Sequence, residues 1–317
     1  MTMRRRSSKS SRTAPFAFAI ALGLAVTSAP GRAAAQACCA GSGAVTPGRL
    51  AMHEDALVSL QARAAHVFGS FDSGGHYSTP PAGSTEQDFE QDAIGALRLP
   101  VVDRAQVALL VPLVETRRTA RDVAELGGGI GDVNLSARYD FLYAGQMRYV
   151  PGIAALAGVT FPTGRAAESA KQAQATDATG IGAFQGNLGV SVEQLFGAVL
   201  VSAYGIVAKR TLRDVQGIRT TLGTQWTALV AVAYSLPRDY AVAVSASYTG
   251  EGNADVQGAE AMGTARRIPI LGITGVVPVT DHFRLQSGLS GNPPIPSLGK
   301  NQPATIGLAV TGIYAWY

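Results

Sequence analysis

Apolar and polar side chains alternate at every second position through most of the chain from about residue 57 onward. A spacing of two is that of a β-strand whose two faces meet different surroundings, whereas a helix repeats every 3.6 residues. The stretch GDVNLSARYDF shows this most clearly. Its polar positions are Asp132, Asn134, Ser136, Arg138 and Asp140, and its apolar positions are Val133, Leu135, Ala137, Tyr139 and Phe141. The pattern predicts a protein built of strands.

About twelve strands are predicted from this alternation. They cover residues 57–71, 87–99, 105–116, 131–143, 149–161, 182–194, 198–210, 219–236, 240–250, 268–278, 283–290 and 304–317. The connections between them are long and short in turn, from TRRTARDVAELGG and PTGRAAESAKQAQATDATG to QLFG and LPRD. Outer-membrane barrels show this asymmetry, because their periplasmic turns are short and their outward-facing loops are long.

The fold class predicted from this pattern is all-β, a closed antiparallel transmembrane β-barrel of about 12 strands over residues 56–317. An unpaired backbone group in hydrocarbon costs several kcal/mol, so a membrane-spanning sheet must leave no edge. We therefore expect the last strand to pair with the first. In that last strand Ile306, Leu308, Val310, Tyr314 and Trp316 are expected to face lipid.

The first 37 residues carry the features of a cleaved signal peptide. A basic stretch precedes the apolar run FAFAIALGLAV, and the small residues AAAQA follow it. Residues 38–55 are then expected to form a short periplasmic segment before the barrel. The adjacent Cys38 and Cys39 leave two interpretations open, a free N-terminal end or lipidation of Cys38.

Removal of the signal peptide changes the charge of the chain. Six of the 26 basic residues and none of the 22 acidic ones lie within residues 1–37, which leaves 20 against 22. The mature chain is slightly acidic and has no basic patch with interleaved aromatic residues. No nucleic-acid partner is therefore expected, and outer-membrane lipid is the expected environment.

Aromatic residues cluster near the predicted strand ends, as in the two interfacial girdles of a membrane barrel. The girdle candidates are Tyr139, Phe141, Trp226, Tyr234, Tyr240 and Trp316. The aromatic C-terminus also resembles the signal by which the barrel assembly machinery recognises its substrates, although Tyr317 extends one residue beyond Trp316. Binding of that machinery through the C-terminal strand is expected.

Charged and polar residues on the opposite parity are expected to line the lumen. The candidates are Arg63, Glu90, Asp92, Arg98, Asp132, Asn134, Arg138, Asp140, Glu193, Gln225 and Arg284. Both signs of charge occur, which predicts weak ion selectivity if the lumen is open.

Chemistry of other kinds has little support in the sequence. The glycine clusters GGGIGD and GIGAFQG lack the G-x-G-x-x-G spacing of a dinucleotide site. The four histidines are scattered, and His66 shares its parity with Val58 and Leu60 on the expected lipid face. We therefore expect no cofactor, no metal site and no enzymatic activity.

Three stretches carry a resemblance to a known family. GGIGDVNLSARYDF, AGVTFPTGR and TGIGAFQGNLGVSVEQ resemble, in order and spacing, strands of bacterial outer-membrane proteins assigned to a phenol-degradation meta-pathway and often called simply transporters. The resemblance covers roughly residues 85–317. It implies a twelve-stranded channel for small aromatic or hydrophobic compounds, and it supplies no catalytic residues.

The sequence thus predicts a porin-like channel of a Gram-negative-type cell envelope, located in the outer membrane, for passive uptake of small solutes. Aromatic or hydrophobic compounds are among the expected solutes. Two alternatives stay open at this stage: a surface or adhesion barrel with a plugged lumen, and a membrane-embedded lipid hydrolase that uses His66.

Overall fold

The computed structural model describes residues 48–121 and 123–317. The strands in these ranges are β1 (Ala56–Phe71), β2 (Tyr77–Ser78), β3 (Thr85–Arg98), β4 (Ala105–Ala120), β5 (Val123–Ile130), β6 (Val133–Leu142), β7 (Gly152–Phe161), β8 (Gln185–Phe196), β9 (Val199–Arg210), β10 (Arg213–Val215), β11 (Ile218–Thr221), β12 (Gln225–Ser235), β13 (Ala241–Glu251), β14 (Ala254–Val256), β15 (Ala259–Ala261), β16 (Arg266–Pro278), β17 (Phe283–Gly291) and β18 (Gln302–Trp316). Two short 3-10 helices lie at Ala167–Ser169 and Pro237–Asp239. The described residues include no helix that is both long and apolar enough to span a membrane.

The long strands form one closed antiparallel barrel. Each pairs with its neighbour in the order β1, β3, β4, β6, β7, β8, β9, β12, β13, β16, β17 and β18, and β18 pairs back with β1. The closing ladder runs from Ala56 opposite Trp316 to Phe71 opposite Gln302. Strand β5 extends the position of β6 toward the outer end by pairing with the second half of β4. The predicted fold class, with twelve barrel positions, is confirmed.

The two faces of the barrel follow the alternation in the sequence. On β18 the outward residues Ile306, Leu308 and Val310 are 45–55% exposed, whereas Thr311 and Ala315 on the inward face are buried. Large exposed aliphatic side chains on one whole face are unfavourable in water and favourable in hydrocarbon. The exterior is therefore a membrane-facing surface, and the fold is that of an outer-membrane barrel.

The connections are short at one end of the barrel and long at the other. The short ones are residues 99–104, 143–151, 197–198, 236–240 and 279–282. We call this end periplasmic and the opposite end outer, following the usual orientation of such barrels. One predicted long loop is wrong: residues 116–128 are mostly strand, because β4 continues to Ala120 and β5 starts at Val123.

Two loops at the outer end fold into a small sheet of their own, in the order β10, β11, β14 and β15. Each half is a hairpin with the same letters at its turn, DVQG at 214–217 and DVQG at 255–258. Gln216, Gly217, Gln257 and Gly258 all have positive φ, as the two central residues of a type I′ turn require. The sequence prediction treated both segments as irregular loops.

The predicted signal peptide, Cys38 and Cys39 lie outside the described residues. Of the segment expected between the signal and the barrel, residues 48–55 are described. They lie at the periplasmic end, and several of their side chains are buried inside the barrel.

Candidate functional site: the barrel lumen

The N-terminal segment, residues 48–54, fills the periplasmic end of the lumen. Leu50 and Ala51 are buried, and Leu50 packs with inward side chains of the barrel wall such as Leu57, Ala96 and Ile313. The segment makes a tight turn in which the Glu54 amide donates to the Ala51 carbonyl over 3.1 Å. An apolar plug at this end therefore narrows the passage into the periplasm.

Arg98, at the end of β3, fixes that turn. Its guanidinium donates to the carbonyls of Ala51 at 2.7 Å and of Glu54 at 2.8 Å, and it also reaches the Met52 carbonyl at 3.3 Å. A planar guanidinium has five N–H donors in a fixed fork, which suits several carbonyls of one turn. The sequence predicted Arg98 as a lumen residue, and the structure places it at the periplasmic mouth.

Glu54 is fully buried, and its carboxylate pairs with the Arg284 guanidinium of β17. A second contact joins Arg284 Nη2 to Glu54 Oε2 at 3.3 Å. The Ala51 amide donates to the same carboxylate at 2.8 Å. The pair links the start of the barrel chain to its penultimate strand.

Arg49 crosses the lumen to the opposite wall. It pairs with Glu193 of β8 and donates to the Tyr204 hydroxyl of β9 at 3.2 Å. Glu193 also accepts from Tyr204 at 2.9 Å and lies 3.4 Å from Arg138, which in turn pairs with Asp140 at 2.7 Å. These charges are almost wholly buried, and each charged group contacts one of opposite sign, as buried charges require.

Further toward the outer end the lumen carries a less enclosed charge cluster. Arg63 of β1 lies 2.7 Å from Glu90 and 3.6 Å from Asp92, both on β3. The Arg63 side chain remains 42% exposed, so this cluster faces open space within the barrel. It contains two carboxyl groups and one guanidinium.

A cavity of about 240 Å³ lies in the wall between β4 and β9. Its polar lining comes from Gln106, Asn134, Ser136, Thr160, Gln185 and Asn187 together with the Arg138 guanidinium, and its apolar lining includes Ala108, Leu156 and Ile206. Asn134 donates to Thr160 at 2.9 Å, which holds the amide against the wall. The cavity is therefore mixed in character, with amide and hydroxyl groups beside aliphatic ones.

A further buried arginine links strands at the outer end of the lumen. Arg210 of β9 pairs with Glu251 at 2.8 Å and donates to Gln185 at 2.8 Å and to Gln225. Asp132 has a different role, because it accepts from the amides of Gly164 at 2.9 Å and Ile181 at 2.6 Å. It thereby anchors the long loop 162–184 at its base.

All eleven lumen candidates lie on the inward face or, for Asp132, at the foot of a loop. Their part in conduction stays a prediction. Sequence reasoning missed Arg49 and Glu54, which precede the first strand and have no periodic pattern around them. It also missed Tyr204 and Arg210, although both share the inward parity of Leu200 and Ser202 and were detectable from that parity.

The girdle candidates all lie on the outside of the barrel or in a turn. Tyr139 and Phe141 form an edge-to-face pair 5.0 Å apart, and Trp316 packs against Tyr314 at 4.9 Å. With Tyr234 and Tyr240 they lie at the periplasmic end. Trp226 lies at the outer end and packs against Tyr248. His66 faces outward on β1, opposite Ile306 and Gln87 in the two ladders.

The fold has counterparts among solved structures. The chain is similar to the COG4313 outer membrane channel from Pseudomonas putida F1, with a TM-score of 0.70 over 83% of this chain and 96% of that one. The sequence identity is 14%, so the likeness concerns the fold. A scan against protein-family models gives no match, and a search of curated protein sequences gives none either.

More distant similarities involve autotransporter domains. The transport unit of AIDA-I from Escherichia coli covers 89% of this chain and 96% of its own at 6% identity and a TM-score of 0.44. The beta domain of the Bordetella autotransporter BrkA covers 82% and 99% at 11% identity, also with a TM-score of 0.44. Structural similarities with a TM-score of 0.44 carry no information on the function of this chain.

Proposed function

We propose that this protein is an outer-membrane channel for passive uptake of small solutes, with single-ring aromatic and other weakly polar compounds among them. The observation that carries the proposal is the cavity of about 240 Å³ in the lumen wall, lined by amides, hydroxyls and aliphatic groups. An apolar protein cavity of about 150 Å³ already holds benzene, so one ring fits here. A ring that bears a hydroxyl matches the mixed lining.

The route for such a solute runs along the barrel axis. It passes the Arg63 cluster, then the mixed cavity, and then the N-terminal segment at the periplasmic mouth. Positive and negative side chains are interspersed along this path, which favours weak ion selectivity over a strong preference for either sign. Release into the periplasm requires the N-terminal segment to move or to leave a gap.

The experiment is a liposome uptake assay with refolded full-length protein and three solutes: a simple phenol, a sugar and an amino acid. Phenol is expected to enter fastest. Ser136→Trp places a large ring in the cavity and is expected to reduce phenol uptake at least about tenfold. Leu135→Trp, one residue away on the outward face and outside the cavity lining, is the matched control and should leave uptake unchanged. Equal uptake by Ser136→Trp and the parent would contradict the proposal.

The filled periplasmic mouth is the one observation that favours the alternative of a surface barrel with a plugged lumen. The two functions differ in a measurable way. A plugged barrel gives no solute flux even after the N-terminal segment is loosened. A channel gives a larger solute flux after loosening than the parent protein does.

We also propose that β18 is the strand that the barrel assembly machinery binds. Its aromatic end and its regular outward apolar face support this. The resemblance of three sequence stretches supports the finer assignment to a phenol-degradation pathway. The phenol arm of the uptake assay tests that assignment.

A further inference from the structure

A row of four residues crosses the outside of the barrel at its outer end. Trp226 of β12 lies opposite Gly250 of β13, Gly250 lies opposite Arg267 of β16, and Arg267 lies opposite Lys300, just before β18. Residues opposite one another in an antiparallel ladder point to the same side of the sheet. Trp226 is on the outward face, so all four belong to that face.

The two basic residues of this row are held close together. Arg267 and Lys300 exchange both backbone hydrogen bonds, each at 3.0 Å, which makes them a directly opposed pair. Like charges in that position destabilise a sheet. Among the described residues no carboxylate forms an ion pair with either side chain, and the nearby Glu251 is bound to Arg210 in the lumen. The pair thus lacks a counter-charge, which an external anion would supply.

An aromatic wall completes the surface beside this pair. The Trp226 ring lies over Gly250, where a Cβ would come within 2.5 Å of the indole nitrogen, and Tyr248 packs against the same ring at 5.4 Å. An open pocket of about 360 Å³ is bounded by Trp226, Tyr248, Gly250, Arg267 and Lys300, and its lining also includes Glu251, Gly252, Ala265 and Arg266. Glycine at 250 is what lets the indole lie flat against the sheet.

The surface toward the membrane centre from this pocket is apolar. Val230 of β12 and Leu271 of β16 are 52% and 55% exposed on the outward face. Trp and Tyr occupy the interface between hydrocarbon and headgroups in membrane barrels. The basic pair therefore lies at headgroup level, directly above the acyl region.

We propose that this surface binds a phosphorylated lipid of the outer leaflet, of the lipid A type, with a phosphate between Arg267 and Lys300. Arginine binds phosphate through its planar fork and lysine through a point charge, so the two supply complementary contacts. The sugar or acyl part of the lipid packs on Trp226 and Tyr248, and the acyl chains follow Val230 and Leu271. The proposal rests on the membrane-spanning fold and is independent of whether the lumen conducts.

The test measures binding of bis-phosphorylated lipid A to the full-length protein in detergent micelles. Trp316→Phe leaves Trp226 as the only tryptophan, because the chain contains two, so its emission reports on the pocket. The double variant Arg267→Gln/Lys300→Gln is expected to bind about thirtyfold more weakly, at about 1 kcal/mol for each basic residue. Arg238→Gln, in the periplasmic turn of the same β12–β13 hairpin, is the control and should bind as the parent does. The variant Arg267→Lys/Lys300→Arg should retain binding.

Two further probes identify what is bound. Lipid A without phosphates is expected to bind as weakly as the double variant does, and inorganic phosphate at equal concentration should not compete. Unchanged affinity in the double variant, an equal loss in Arg238→Gln, or full competition by inorganic phosphate would each overturn the proposal. Folding is checked by the gel shift between boiled and unboiled samples. If the double variant fails that check, each single variant carries the test, with an expected loss of about fivefold.

Discussion

Substitution of Glu54 by alanine is expected to loosen the N-terminal segment and raise the conductance of the barrel. The Glu54 and Arg284 side chains are 1% and 7% exposed, so the substitution removes a carboxylate partner from a buried guanidinium. Breaking a buried ion pair from one side costs about 3–5 kcal/mol. The cost here is at the lower end, about 3 kcal/mol, because the pair lies next to the periplasmic mouth and water reaches a loosened segment.

That cost acts on the equilibrium between the docked and the released segment. Since 1.4 kcal/mol is a factor of ten, about 3 kcal/mol raises the released fraction about a hundredfold. Single-channel recordings in planar bilayers should then show longer or more frequent openings of high conductance. The double variant Glu54→Ala/Arg284→Ala strands no charge and should lie closer to the parent than either single variant does, which a double-mutant cycle measures.

Asp55→Ala is the matched control for this prediction. Its carboxylate is 71% exposed and 4.0 Å from Arg98, so its loss should change little. The reasoning is refuted if Glu54→Ala conducts like the parent, or if Asp55→Ala opens the barrel to the same extent.

Three other predictions concern the loops and the C-terminal strand. The amides of Lys171 and Gln172 and the Arg165 guanidinium lower the pKa of Asp177 to about 2. The loop stabilisation from Asp177 is therefore complete above pH 4 and lost as the pH falls toward 2. Hydrogen exchange of residues 163–180 should show this loss, and Asp177→Asn should remove it. Gly258→Ala should destabilise the β14–β15 hairpin by about 1–2 kcal/mol, because its φ is +84°, with exchange confined to that loop and an unchanged barrel Tm. Trp316→Ala should lower the yield of assembled barrel in cells but not refolding in detergent, and a normal yield in cells would count against recognition of β18.

The barrel itself could be predicted from the sequence because hydrocarbon on one side imposes a strict period of two. On β18 and β6 every second residue had to be apolar, so strand number, closure and the inward parity of Arg63 and Glu193 followed. The same argument fails above the membrane. At the outer end of β4, residues 116–119 carry polar side chains on both faces, because both faces meet water there.

The structure of the periplasmic mouth could not be predicted from the sequence, for a different reason. Arg49 and Glu54 have no pattern of their own, and their partners Glu193 and Arg284 are 144 and 230 positions away along the chain. The twin DVQG hairpins, in contrast, carried a readable signal. A Gly at the second central position after a strand-like valine favours a type I′ turn, and the repeat of the same letters pointed to paired hairpins.

The Glu54–Arg284 pair joins a residue two positions before the first barrel strand to the strand before the last. A partly built sheet that has not yet received β17 holds the Glu54 carboxylate with no guanidinium to neutralise it. The Glu54–Arg284 pair at the periplasmic mouth can therefore form only after β17 has joined the sheet. Closure of the periplasmic mouth thus comes late in assembly, because its two charged partners lie near opposite ends of the barrel sequence.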